Sequence, residues 1–133
     1  MTERTLPVPD ALTEPFWQAA REKRLLLQKC PRTGAFQWYP RAHSLAAPHE
    51  TPEWVEASGK GTVFSYSVVH YGGEGIPTPY VCALVELEEG PLVFTHLVDV
   101  PDDRLAIGLP VEVSFEDLNE TISLPVFTER VSA

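Results

Sequence analysis

The sequence predicts a mainly β protein, with a five-stranded OB-like barrel preceded by an N-terminal helix and a turn-rich ribbon segment. Three observations carry this. From Gly59 onward apolar residues recur with period two over five short runs. Glycine, proline and acidic clusters separate the runs at turn spacing. Before Gly59, only residues 13–23 show helical periodicity, and prolines then punctuate the chain every few residues.

Residues 1–12 read as a loosely ordered arm. Thr13-Glu14-Pro15 is a helix start: a hydroxyl N-cap, an early acid, and a proline where the missing N–H costs nothing. Phe16, Trp17 and Ala20 follow at helical spacing, and Arg21, Lys23 and Arg24 suit the C-terminal dipole. Leu25 to Cys30 fits a strand as well as a helix end. Residues 31–58, with Pro31, Gly34, Pro40, Pro48 and Pro52, predict an irregular segment of turns and short strands. In the barrel, Thr62 to Val69, Tyr80 to Leu87, Leu92 to Val98, Val111 to Glu116 and Leu124 to Thr128 read as strands. Glu89-Gly90-Pro91 makes a hairpin of the second and third. Asp102 to Leu105 reads as a helical turn closed by Gly108. A small β-sandwich is the alternative architecture.

Composition narrows the function. With 133 residues the chain can bury one sizeable core unaided. Its 19 acidic and 10 basic residues give a net charge of −9, opposite to the basic footprint nucleic acid demands. No apolar run reaches the ~20 residues of a membrane span, and the polar start does not read as a signal peptide. A cytoplasmic protein with reduced Cys30 and Cys82 is expected. Cys82, inside Val81-Cys82-Ala83-Leu84-Val85, reads as a small core hydrophobe.

No catalytic constellation emerges. There is no Gly-x-Ser-x-Gly elbow, and Gly72-Gly73-Glu74-Gly75 lacks the following helix and Lys-Ser/Thr pair of a phosphate loop. That loop reads as a mobile hairpin connection. His96, beside Leu92, Phe94 and Val98, reads as a partly buried, hydrogen-bonded strand residue. The candidate ligand- or partner-binding residues are Phe16 and Trp17 on the helix, and Tyr66, His70, Tyr71 and Tyr80 around the glycine loop.

Several stretches carry a family resemblance: Pro15 to Glu22, Leu25 to Cys30, Trp54 to Tyr66, Pro79 to Gly90 and Ile107 to Val113. Together they resemble the bacterial and archaeal family that joins a rubredoxin-like zinc ribbon to an OB fold and is associated with acyl-CoA enzymes. The resemblance implies an N-terminal arm and helix at 1–29, a ribbon at 30–58 and an OB barrel at 59–133. It also implies a non-catalytic accessory subunit in lipid or steroid degradation. Such a subunit docks on a thiolase-like, aldolase or hydratase partner and helps shape or cover its acyl-CoA channel. The departure lies at the metal: Cys30, Gly34, Gln37, Pro40 and Arg41 match the family's ribbon, but its other three cysteine positions hold Thr33, Ser44 and Ala47. One thiolate of four, even with His43 and His49 as improvised donors, does not make a structural zinc site. A metal-free ribbon is expected, with Phe36, Trp38, Tyr39 and Trp54 packing in place of the ion. A stand-alone acyl-CoA or small-ligand module is the alternative function. Its acidic charge opposes anionic CoA. An independent small enzyme ranks below both.

Overall fold

The computed structural model describes residues 5–72 and 75–131. Gly73 and Glu74 of the expected glycine loop, like Met1 to Arg4 of the arm, lie outside the described residues. Helix α1 spans Glu14–Arg21 and buries Phe16, Ala19 and Ala20, one face at i, i+3, i+4 spacing. Its start differs from the expected cap. The Thr13 hydroxyl makes no cap bond to the helix. Instead Asp10 Oδ1 accepts from the Thr13 amide at 2.8 Å, and Thr13 Oγ1 accepts from the Asp10 amide at 3.1 Å. This reciprocal pair is a capping box one turn earlier, which a reading centred on Thr13 overlooks. The helix ends in a Schellman turn: Lys23 takes φ 65°, Arg24 N donates to Ala19 O and Lys23 N donates to Ala20 O.

The segment after the helix forms a three-stranded antiparallel sheet in the order β2-β1-β3, with β1 Leu26–Lys29, β2 Phe36–Gln37 and β3 Glu53–Glu56. The ambiguous Leu25–Cys30 run is thus a central strand, and Leu25, Leu27 and Cys30 are buried. The barrel follows: β4 Lys60–Val69, β5 Tyr80–Leu87, β6 Leu92–Leu97, β7 Pro110–Asp117 and β8 Ser123–Glu129, closed in the order β4-β5-β6-β8-β7. A single 3-10 turn, Asp102–Arg104, bridges β6 and β7. The OB-type barrel is therefore present, and the sandwich alternative falls. One pairing departs from an all-antiparallel reading: β6 meets β8 in parallel, at Leu97 opposite Phe127.

Inward residues of every strand build the core, among them Val63, Ala83, Val85, Val93, Val111 and Phe127. Phe16, Leu25 and Leu27 join them from outside the barrel, so helix, ribbon and barrel share one hydrophobic body. The register breaks between Val63 and Ser65 in β4. This bulge turns Phe64 to solvent and lets the strand wrap around the barrel. Cys82 corrects the core reading. It stands opposite Ser67 and His96 on the outer face of β5 and is only half-buried, because inward positions alternate at Val81, Ala83 and Val85.

Candidate partner-binding face

The helix is pinned to the far side of the barrel. Lys23 Nζ lies 2.6 Å from Asp117 Oδ1, and Arg21 Nη1 reaches Asp117 Oδ1, Asn119 O and Ser123 Oγ at 3.3–3.4 Å. The Lys23 bond, followed by the Ser123 hydroxyl, holds the Asp117 carboxyl below its ordinary 3.8. With the helix so fixed, a groove of about 270 Å³ opens where helix, ribbon and barrel meet. Phe16, Trp17 and Leu25 form one wall, Trp38 and Tyr39 the second, and Val93 to Thr95 with Leu124 and Pro125 the third. Phe16 stacks edge-on to Trp17 and tilted to Trp38, both at 5.0 Å between centroids, and Trp38 meets Tyr39 at 5.3 Å.

A second groove, about 370 Å³, continues from Trp38 along Phe36, Leu45, Pro91 and Leu92. Tyr39, Leu45, Leu92 and Phe94 are 46%, 62%, 37% and 67% exposed. Large apolar side chains thus form a continuous exposed band on a molecule whose core is already filled. The expected packing of Tyr39 in place of a metal is not seen, since nearly half of this side chain meets solvent. On the other side of Trp17 lies a wider groove, about 690 Å³, whose lining includes Glu14, Glu22 and Glu120 as well as Arg21.

The other predicted residues stand elsewhere. Tyr66 lies at a barrel end, its hydroxyl 3.4 Å from Leu105 O. Tyr80 packs its ring 4.9 Å from His96, and a Cβ on Gly72 would lie 2.8 Å from Tyr80 Cε1. His70 is exposed and Tyr71 is 97% exposed. The structure therefore brings Phe16 and Trp17 together with Trp38, Tyr39 and Phe94, and groups Tyr80 with His96 away from that groove. Phe94 and Leu92 were missed: they alternate with buried Val93 and Thr95, but β6 is apolar on both faces, so residue type alone does not say which face is outward.

The ribbon fold brings its old ligand positions together. Cys30 is buried, and hydrogen bonds first from Ser44 and then from Thr33 lower its thiol to about 7. Ala47 is joined through its amide to Ser44 Oγ at 3.1 Å. One thiol, two hydroxyls and a methyl do not suit a zinc ion. Among the described residues no three His, Cys, Asp or Glu side chains gather as a metal set.

Comparison with known proteins agrees with this architecture. Residues 17–45 match the model of the ChsH2 rubredoxin-like zinc ribbon domain, and residues 54–116 match the ChsH2 C-terminal OB-fold domain. A probable enoyl-CoA hydratase alpha subunit of Thermomonospora curvata is 33% identical over 98% of this chain. The chain spans only 44% of that protein's length. A DUF35 domain-containing scaffold protein of Methanocaldococcus jannaschii is 31% identical, covering 84% of this chain and 82% of its own. Among solved structures, a chain of the Ltp2-ChsH2(DUF35) aldolase superposes with TM-score 0.86 at 32% identity, over 95% of this chain and 100% of that one. A ribbon without a zinc donor set, an OB barrel closed β4-β5-β6-β8-β7 and these matches together make the chain a member of the DUF35/ChsH2 family.

Proposed function

We propose that this protein is an accessory subunit that seats on an acyl-CoA-processing enzyme, of the hydratase or aldolase kind, and walls part of its acyl-CoA channel. The supporting observation is the aromatic groove between helix, ribbon and barrel, with the acidic Glu14, Glu22 and Glu120 in the neighbouring groove across Trp17. Hot-spot residues of interfaces are aromatic anchors beside pockets, surrounded by polar rims. This adjacent acidic groove and a net charge of −9 favour a partner surface with an apolar anchor beside Lys or Arg. The relatives named as a hydratase alpha subunit and as part of an aldolase give the partner's class. The contribution to catalysis is positioning and water exclusion, which needs no nucleophile in this chain.

The test is co-expression with the hydratase, aldolase and thiolase-like subunits encoded in the same genome, followed by co-purification. Phe94→Asp and Tyr39→Asp change exposed side chains, so the chain alone keeps its stability within ~0.5 kcal/mol. Complex formation with the cognate subunit falls by about 30-fold or more if each is an anchor worth ~2 kcal/mol. Unchanged association in both variants refutes this groove as the interface. Tight CoA-thioester binding by the chain alone, with no partner captured, favours the stand-alone module.

A further inference from the structure

We propose that this ribbon is metal-independent by construction, its two knuckles held shut without an ion by serine and backbone hydrogen bonds and clamped to the sheet by Gln28 and Gln37. Gln28 on β1 and Gln37 on β2 face each other in register, 3% and 6% exposed. Gln37 Nε2 donates to Gln28 Oε1 at 2.9 Å and to His43 O at 3.2 Å. Gln37 Oε1 accepts from the Leu45 amide at 2.9 Å. Gln28 Oε1 accepts from the Arg41 amide at 2.8 Å, while its Nε2 donates to Arg41 O at 2.9 Å. Two side chains thus clamp the backbone of residues 41–45 onto the sheet.

Each knuckle is also closed locally. In the first, Gly34 N donates to Cys30 O and Cys30 N to Ala35 O, both at 2.8 Å. In the second, Ser44, 2% exposed, accepts from the amides of Ala46 and Ala47 at 3.1 Å each, and its own amide donates to Glu50 O at 3.0 Å. The Cys30 thiol, hydrogen-bonded to Ser44 and Thr33, ties the two knuckles together across the old metal position. Among the described residues, no buried side-chain nitrogen or oxygen is left without a hydrogen-bond partner. A pocket awaiting an ion would hold donors that nothing else satisfies.

The test uses the full chain, purified without a nickel column from zinc-replete medium. Zinc content is expected well below one per chain, with a Tm unmoved by a chelator. Cobalt titration is expected to give no thiolate charge-transfer or tetrahedral bands. In the triple variant Thr33→Cys, Ser44→Cys, Ala47→Cys, cobalt is expected to give both, because the backbone still brings the four positions together. Gln37→Leu is expected to speed amide exchange at Leu45 by roughly tenfold to a hundredfold. Should that variant fail to fold, Ser44→Ala is read at Ala46 and Ala47 in the same way. Stoichiometric zinc, a chelator-dependent Tm, a triple variant blind to cobalt, or unchanged exchange on loss of a lattice side chain would each overturn the inference.

Discussion

Gly61→Ala tests whether barrel closure is as tight as the geometry implies. Gly61 lies in β4 between Leu87 of β5 and Val111 of β7, both of which point into the core. A Cβ there would sit 2.5 Å from Glu86 O, 2.9 Å from Val85 Cγ1 and 3.1 Å from the Glu86 carbonyl carbon. Even an attractive C···O contact needs ~3.3–3.6 Å. The nearest atom is backbone, so no rotamer change relieves the overlap and β5 itself must shift. Overpacking of this kind costs about 1–3 kcal/mol, occasionally more. Loss of glycine's freedom in the unfolded chain returns ~0.4–1 kcal/mol. The net is destabilisation by ~1–2 kcal/mol, or about 3–10 °C in Tm for a chain of this size. Gly108→Ala is the control: its Cβ meets nothing within 4 Å, and only the strain of φ +92° opposes it. Thermal unfolding of both variants followed by circular dichroism is the assay. If Gly61→Ala unfolds within 2 °C of the parent (a margin judged against the ~3–5 °C expected per kcal/mol), the reasoning about close strand approach is wrong.

Other consequences follow from named contacts. Phe127 is fully buried where β8 meets both β6 and β7, so Phe127→Ala should cost ~3–5 kcal/mol by chemical denaturation. Asp117 has its carboxyl lowered in the folded state, so its share of stability is complete above its ordinary 3.8 and vanishes as pH falls through the folded value. Asp117→Asn should flatten the acid limb of a Tm–pH curve below about pH 4. The Cys30 thiol is lowered to about 7 from 9.0, so its contribution is complete above pH 9 and is lost as pH falls through 7. Relative to Cys30→Ala, the parent should gain stability between pH 7 and 9. Arg104 places Nε and Nη2 at 3.0 and 2.6 Å from Glu129 Oε1, and a double-mutant cycle on this pair, Arg104 exposed and Glu129 partly covered, should return ~1 kcal/mol or less.

The barrel was legible because its strands alternate over a filled interior. Val111 reveals its face through its neighbours alone, Pro110 and Glu112. The phase of β4 was not legible past Val63, because the bulge at Phe64 is a backbone event that leaves the alternation of residue types intact. Cys82 was misread although the strand carried its phase: Val81, Ala83, Val85 and Leu87 share one face, which puts Cys82 on the other. The groove was half legible. Phe16 and Trp17 were visible as aromatic anchors, but their meeting with Trp38, Tyr39 and Phe94 depends on the helix being pinned at Asp117, a contact about 94 residues distant in sequence. Loss of the zinc donors could be read from Thr33, Ser44 and Ala47. What holds the ribbon instead could not, since Gln28 and Gln37 look like ordinary polar strand residues until the register sets them face to face.

The ribbon and the groove are mechanically one object, which yields a prediction that separates support from contact. Trp38 and Tyr39 supply a groove wall, and the residues on either side of them are the ones that the lattice clamps: Gln37 through its side chain, Arg41 through its backbone N–H and C=O to Gln28. Gln28 itself lines neither apolar groove. Gln28→Leu keeps the side-chain volume but leaves the Arg41 amide and carbonyl without this partner, along with one Gln37 bond, each worth ~1–3 kcal/mol when buried and unsatisfied. Residues 38–41 should then open more often, with faster amide exchange at Arg41 and a larger response of Trp38 to a fluorescence quencher. Association with the enzyme subunit should weaken, because the wall must be ordered again on binding. The loss should fall on the free energy of association even below the Tm of the variant, where the barrel remains folded. If Gln28→Leu frees this loop and the partner still binds with the parent's affinity, then the Trp38–Tyr39 wall is not part of the interface, and the ribbon serves the fold rather than the docking.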